Sequence, residues 1–304
     1  MFIVNKRKIF YAFSGILVLA SLAAIFVFGL KPGIDFTGGS LLEVSYASTS
    51  PATTDIEKTV TTAGATDVSV RPSSDDDFII RSSQISDPQK SQILSGLSFG
   101  GKYIVSEKEF DSVGPTLGAE ALQKSWISIV LVLCAIILFI SFAFRKVSKP
   151  VSSWKYGIIA VISLVHNILI PLGLFALLGH FIGVEVDTLF ITALLVIIGF
   201  SVHDNIVVFD RVRENLRRNE EFKEKKNFDT IVGESINQTF VRSINTSLTM
   251  LLAILVLYIV GPAATQNFAL ALLVGITAGT YSSIFIGSPL LVTVYKRKLK
   301  KELK

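Results

Sequence analysis

The sequence predicts a six-helix membrane bundle that carries one small α+β domain. Three observations lead there. Half of the 304 residues are hydrophobic, and they fall in long uncharged blocks instead of the short periodicities of a soluble core. Blocks of about twenty such residues match the roughly 30 Å hydrocarbon layer that a spanning helix must cross. Basic residues collect in alternate connections between the blocks, and the stretch 31–124 has a separate, polar composition.

The six blocks are 9–30, 126–144, 156–178, 188–209, 239–260 and 268–295. The first follows Lys6, Arg7 and Lys8 and so begins like a secretory signal. Its uncharged run of 22 residues exceeds a signal peptide's core, and Gly-Leu-Lys-Pro stands where a small-residue cleavage site would be. It is expected to remain as an anchor. With the N-terminus inside, 21 of the 29 Lys and Arg fall on the inner side. They are Lys6, Arg7 and Lys8; Arg145, Lys146, Lys149 and Lys155; those from Arg211 to Arg242; and the C-terminal tail. The outer loops 179–187 and 261–267 hold none, which fixes both termini as cytoplasmic by the positive-inside rule. Because these charges line a membrane face, a nucleic-acid partner is not expected; the lipid bilayer is.

Several chemistries are absent. The lone Cys134 cannot form an internal disulfide or, by itself, a metal site. There is no Gly-x-x-x-x-Gly-Lys-Ser/Thr loop for nucleotide, and the three His lack metal-ligand spacing. The chain therefore reads as a transport component and not an enzyme, with no cofactor and no metal.

Three domains are expected: 1–30, the cytoplasmic start and first span; 31–124; and 125–304, five spans with a cytoplasmic linker at about 210–238 and a basic tail. The middle domain carries 8 basic and 13 acidic residues. Strands are predicted at 40–46, 68–71, 78–81 and 103–110, the middle two flanking a turn at 73–77. Helices are predicted at 53–63, between Pro51 and Gly64, and at 88–97, with Asp87 as its N-cap. The order β-α-β-β-α-β is the split βαβ, ferredoxin-like arrangement, placed outside the cytoplasm between the first and second spans. In the linker, 211–226 extends the fourth span. Phe228, Ile231, Val232 and Ile236 share a helical face, giving either a short helix on the membrane surface or a solvated connector.

Polar residues inside the spans carry the functional signal. Asp204, in Ser201-Val202-His203-Asp204-Asn205, lies six residues before Asp210, so about 9 Å inward at the helical rise. An ionised Asp at a helix centre costs about 2.5–3.5 kcal/mol on insertion scales, so it needs a protein partner or water. The fifth span offers Arg242, Asn245, Thr246 and Thr249 at i, i+3, i+4 and i+7, one polar stripe on an apolar helix. An Asp204–Arg242 pair would be released by protonating the Asp, a two-state element sensitive to a proton gradient. A static structural pair, or an Arg242 that snorkels to the surface, is the alternative. His166 and Asn167 lie mid-way along the third span, where His166 is either a packing residue or part of a relay. Gly275, Gly279, Ser283 and Gly287 recur every fourth residue in the sixth span, a close-packing face against another subunit or the fourth span.

Several of these segments also carry a family resemblance. Gly33-Ile34-Asp35-Phe36-Thr37-Gly38-Gly39-Ser40 and Val113-Gly114-Pro115-Thr116-Leu117-Gly118 resemble signatures of the SecF family of protein-export membrane subunits. Gly199 to Asp204 with Phe209 to Asn215, and Ser235 to Thr249, are similar to that family's fourth- and fifth-span motifs. The resemblance implies a SecD partner of similar plan, the two forming a twelve-helix unit of the resistance–nodulation–division type in the bacterial cell membrane. That unit would work beside the SecYEG channel and use the proton-motive force to draw translocating polypeptides outward. The family's proton-sensitive Asp and Arg fall on Asp204 and Arg242. His203 stands where the family commonly has Asn, and Asn167 where it commonly has Asp. A small-molecule or lipid exporter of the same superfamily, or a scaffold without proton coupling, are the rival readings.

Overall fold

The computed structural model describes residues 2–47, 49–73, 76–143 and 151–302, without side chains at 263, 301 and 302. Arg145, Lys146 and Lys149, the end of the second apolar block at 144, the centre of the 73–77 turn and Lys304 lie outside the described residues. In chain order the elements are α1 (Phe2–Asn5), α2 (Arg7–Phe28), α3 (Ile34–Thr37), β1 (Gly39–Tyr46), α4 (Thr53–Thr62), β2 (Ser69–Pro72), β3 (Asp77–Ser82), α5 (Asp87–Leu97) and β4 (Val105–Val113). After them come α6 (Pro115–Ala143), α7 (Ser153–Phe181), α8 (Thr188–Glu221), α9 (Phe228–Val260), α10 (Ala263–Ser282), a π-helical turn (Ser283–Gly287) and α11 (Ser288–Glu302). They form two compact units, 32–126 and the combination of 1–31 with 127–304.

The smaller unit is a four-stranded sheet in the order β2-β3-β1-β4, with every neighbouring pair antiparallel. Alternation along β1 and β3 points Leu42, Val44, Tyr46, Phe78 and Ile80 to one face. Ile56 and Val60 of α4, and Ile93 and Leu97 of α5, stand at i and i+4 and close over that face. The N-cap of α5 is Ser86 and not Asp87. Ser86-Asp87-Pro88-Gln89 is a capping box, and the Ser86 N–H donates to Gln89 Oε1 at 3.0 Å. The last strand begins two residues later than the sequence pattern indicated and runs on to Val113.

Among the described residues six helices are long and apolar enough to cross a membrane, the last being α10, the π turn and α11 in continuation. Over an 18-residue apolar stretch of each, half of α7 and of α8 and 61% of the last span are buried within the chain, against 11% of α2, 6% of α6 and 17% of α9. The first three therefore make the interior, while α2, α6 and α9 present most of their surface outward. Cys134 on α6 is exposed.

The 34 residues of α8 span about 51 Å, well beyond a bilayer core. Neither sequence expectation for 228–238 holds. The segment is the first three turns of α9, and Phe228, Ile231, Val232 and Ile236 are buried in the bundle. Phe228 packs edge-on against Tyr295 of α11. The extended ends of α8 and α9 are also tied together by polar contacts: Arg211 Nε donates to Gln238 Oε1 at 2.6 Å, and Asn215 Nδ2 to Ser235 Oγ at 2.8 Å. An ion pair joins Asp229 at the start of α9 to Lys296 of α11. The π turn immediately precedes Ser288-Pro289. Pro289 lacks the N–H that would close onto Phe285, and its ring would clash with that carbonyl in a regular α-helix. A local widening to π geometry relieves both.

Candidate functional site: a polar seam inside the membrane unit

Two interior helices repeat one spacing. Ser163, His166 and Asn167 on α7, and Ser201, Asp204 and Asn205 on α8, each stand at i, i+3 and i+4, which places each trio on one helical face. All six side chains are buried, and Asp204 is the one buried carboxylate among the described residues of this unit. The last span closes over both trios because it has almost no side chains where it crosses them. A Cβ on Gly275 would enter the volume of Ile197. On Gly279 it would lie 2.5 Å from Ser201 Oγ and 3.5 Å from Asn167 Nδ2. On Gly287 it would lie 2.7 Å from Asn205 Oδ1 and 3.0 Å from Ser163 Oγ. The small-residue stripe thus packs on α8 and α7, and Ser283, its one polar member, makes the central contact.

Ser283 Oγ lies 2.5 Å from Asp204 Oδ2 and 3.1 Å from the Thr280 carbonyl. Ser288 Oγ donates to the Ser283 carbonyl at 3.0 Å, bridging the π turn from its far end. Asn205 Nδ2 donates to the Ser201 carbonyl at 3.0 Å. His166 Nδ1 is 3.0 Å from Asn167 Oδ1, and its ring stacks on Tyr281 with centroids 6.3 Å apart. Pro171, four residues after Asn167 within α7, leaves the Asn167 carbonyl without its helical donor. His166 Nε2, Asn167 Nδ2, Ser201 Oγ and Asn205 Oδ1 have no hydrogen-bond partner among the described residues. Each unsatisfied buried polar group costs roughly 1–3 kcal/mol, so their concentration beside one carboxylate calls for a functional reason.

The expected Asp204–Arg242 pair is not formed. Arg242, Asn245, Thr246 and Thr249 are all exposed, and among the described residues no ion pair joins Arg242 to Asp204. The face that α9 turns inward is Ser235, Thr239, Ser243 and Ser247, every fourth residue and all buried. These hydroxyl residues are short and let the helices approach, whereas the guanidinium one position away points out. His203, next to Asp204 in sequence, is about 100° round the helix from it and is exposed, so it does not share the seam. Sequence reasoning passed over Ser163, Ser201 and Asn205 as site members. Their shared i, i+3, i+4 spacing was the available signal.

The two glycine motifs meet within the smaller unit. Gly38 ends α3 at φ 74°, and a Cβ there would sit 2.7 Å from Pro115 Cα. Gly39 pairs with Val113 across β1 and β4. A Cβ on Gly118 would lie 2.9 Å from both Phe36 O and Gly38 N. Asp35 sits in α3 and Gly114 accepts from the Gly118 N–H at 3.1 Å, so this pair of motifs is a backbone-to-backbone junction. Among the described residues no group of three His, Cys, Asp or Glu could hold a metal ion.

Comparison with known proteins bears on both regions. Residues 99–297 match the family described as protein export membrane protein SecD/SecF, C-terminal, and residues 23–49 match the SecD/SecF GG motif. Protein translocase subunit SecF of Anaerolinea thermophila is 39% identical over 292 residues, covering 95% of this chain and 92% of that one. The SecF subunit of Thermobaculum terrenum is 41% identical, covering 96% and 93%. The crystal structure of SecDF, a translocon-associated membrane protein from Thermus thermophilus, superposes with a TM-score of 0.80 at 29% identity. That match takes in 97% of this chain, which spans only 38% of the SecDF chain.

Proposed function

Because the chain belongs to the SecD/SecF family of protein-export membrane proteins, we propose that it couples the proton-motive force to export through Asp204. It is a multi-pass membrane protein and an accessory subunit of the Sec export machinery. Its role is transport and not catalysis.

The observation that carries the proton reading is the buried Asp204, set among hydroxyl and amide groups in an otherwise apolar span. A neutral carboxyl is tolerated there, whereas the ionised form needs the donors of the seam. Proton gain and loss at Asp204 therefore changes how strongly α8 holds the last span. That change is read as the step that moves the smaller unit and helps an emerging polypeptide outward.

A SecD partner is supported by the solved relative, a single chain named SecDF of which this one matches 38%. The outward stripe of Arg242, Asn245, Thr246 and Thr249 supports the place of contact. Arginine facing hydrocarbon is costly even where it snorkels, and a polar span of SecD laid along α9 would satisfy it. Arg242 would then act on the proton path from the subunit interface and not as the direct partner of Asp204. The SecYEG channel and the translocating polypeptide complete the assembly in this reading. The smaller unit is read as an extracytoplasmic ferredoxin-like domain, supported by its β2-β3-β1-β4 order and two helices over one face. The placement of basic residues supports cytoplasmic termini, and the SecF relatives of Anaerolinea thermophila and Thermobaculum terrenum support a bacterial cell membrane.

The test is Asp204→Asn in the complex with SecD, reconstituted with the Sec channel and assayed for export with the gradient present or collapsed by an uncoupler. Loss of gradient stimulation with unchanged copurification is expected. Full stimulation in this variant would remove Asp204 from the mechanism. A scaffold would tolerate Asp204→Asn and Arg242→Gln alike, and an exporter of small molecules would not copurify with Sec channel subunits.

A further inference from the structure

We propose that Ser283 is a positioning residue that reads the protonation state of Asp204 and passes it, through the π turn, to α11. This role rests on Asp204 taking the proton. The Ser283 hydroxyl has one hydrogen and two acceptors within reach, Asp204 Oδ2 at 2.5 Å on the neighbouring helix and the Thr280 carbonyl at 3.1 Å on its own. With Asp204 ionised, the charge-assisted bond holds that hydrogen and ties α8 to the last span. A proton added to the carboxylate makes Asp204 a donor. The Ser283 hydrogen then turns to Thr280, and Ser283 Oγ accepts from the new acid O–H. Every hydrogen keeps an acceptor in both states, so the exchange is an alternative and not a rupture.

Ser283 opens the π turn, and its carbonyl is the acceptor for Ser288 Oγ at the other end. A serine bonded back to its i−3 carbonyl bends a helix locally, which alters the strain across this turn. A π turn holds one residue more than the α-helix around it, and its release or capture shifts the helix beyond it by about 1.5 Å and 100°. That helix is α11, whose Tyr295 and Lys296 contact Phe228 and Asp229 at the start of α9. Protonation at Asp204 thus becomes movement where α9 and α11 meet.

The other ionisable groups on the surrounding helices do not compete for the role. Tyr11 on α2, Tyr156 and His166 on α7, Tyr281 on α10 and Tyr295 on α11 are buried or half-buried, and none is a carboxylate. His203 and Asp210 on α8, Arg242 on α9 and Lys296 on α11 are exposed, and the half-buried carboxylates of α9, Asp229 and Glu234, are paired with Lys296 and Lys226.

The test uses the SecD complex with Ser283→Ala, Ser283→Cys and Ser283→Thr. Ser283→Ala removes the donor to the carboxylate, so its gradient-stimulated export should reach half-maximum at a pH different from the parent's. Ser283→Cys, of similar size and a weaker donor, falls between, and Ser283→Thr restores the original profile. A second readout is the disulfide yield between cysteines placed at Asp229 and Lys296 in a Cys134→Ala background. That yield should change with the gradient, lose the change in Ser283→Ala and regain it in Ser283→Thr. An unmoved pH profile with an unchanged crosslinking response in Ser283→Ala overturns the role. If Asp204→Asn still shows stimulation, the proton reading itself falls. If that variant is inactive while Ser283→Ala matches the parent, only the role of Ser283 falls.

Discussion

Helices α8 and α9 both carry polar clusters in apolar spans, and they dispose of them in opposite ways. On α8, Ser201, Asp204 and Asn205 are buried against α7 and the last span. On α9, Arg242, Asn245, Thr246 and Thr249 face outward, and the buried polar residues are Ser235, Thr239, Ser243 and Ser247. Polarity inside a span shows that some neighbour other than lipid must exist. It does not say whether the neighbour is in the same chain. For α8 the neighbours are internal; for α9 the proposed neighbour is another molecule.

The strongest way to break this contrast is a matched pair of small substitutions. Gly279→Val places new atoms on Ser201 and should destabilise the chain by about 1–3 kcal/mol, measured by thermal unfolding in detergent. Thr246→Val on the outward face should stay within about 0.5 kcal/mol of the parent. Equal stability of the two variants would mean that the glycine seam is not tightly packed. A smaller effect is expected at the proposed interface. Arg242→Leu combined with Thr246→Leu should weaken association with SecD about tenfold, close to 1.4 kcal/mol, with the unfolding temperature of the isolated chain unchanged. Undiminished copurification would place the partner elsewhere. The smallest effect sharpens the picture without perturbing it. In a Cys134→Ala background, Thr246→Cys should react with a maleimide in the isolated chain and be protected by SecD, while Ser201→Cys stays unreactive in both. Reaction at position 201 would show the seam open to solvent.

Much of the fold was legible because its signals are local. A block of twenty apolar residues declares a span wherever it sits, and two-residue alternation with i, i+4 pairs declared the strands and helices of the smaller unit. The errors came where local pattern meets several solutions. Asp87 and Ser86 are both good N-caps, and the reciprocal Gln89 bond decides for Ser86. Phe228, Ile231, Val232 and Ile236 describe an apolar face that would suit a membrane surface equally well. The site was half legible. Asp204 stood out because a carboxylate in a span is costly, but the partner offered for it was the arginine at matching depth on the next span, with a snorkelling Arg242 as the alternative.

The amino-acid sequence alone determined the six spans, the separate α+β unit and the residues at which chemistry could occur. These follow from transfer free energies and backbone propensities, which depend on a few neighbouring residues. Tertiary structure alone decided that Asp204 meets Ser283 and not Arg242. That choice turns on the rotation of α9 about its axis, set by the summed packing of Ser235, Thr239, Ser243 and Ser247, and small side chains win the interior because they let backbones come close. Coulomb attraction between two charges cannot be read as contact until that rotation is known.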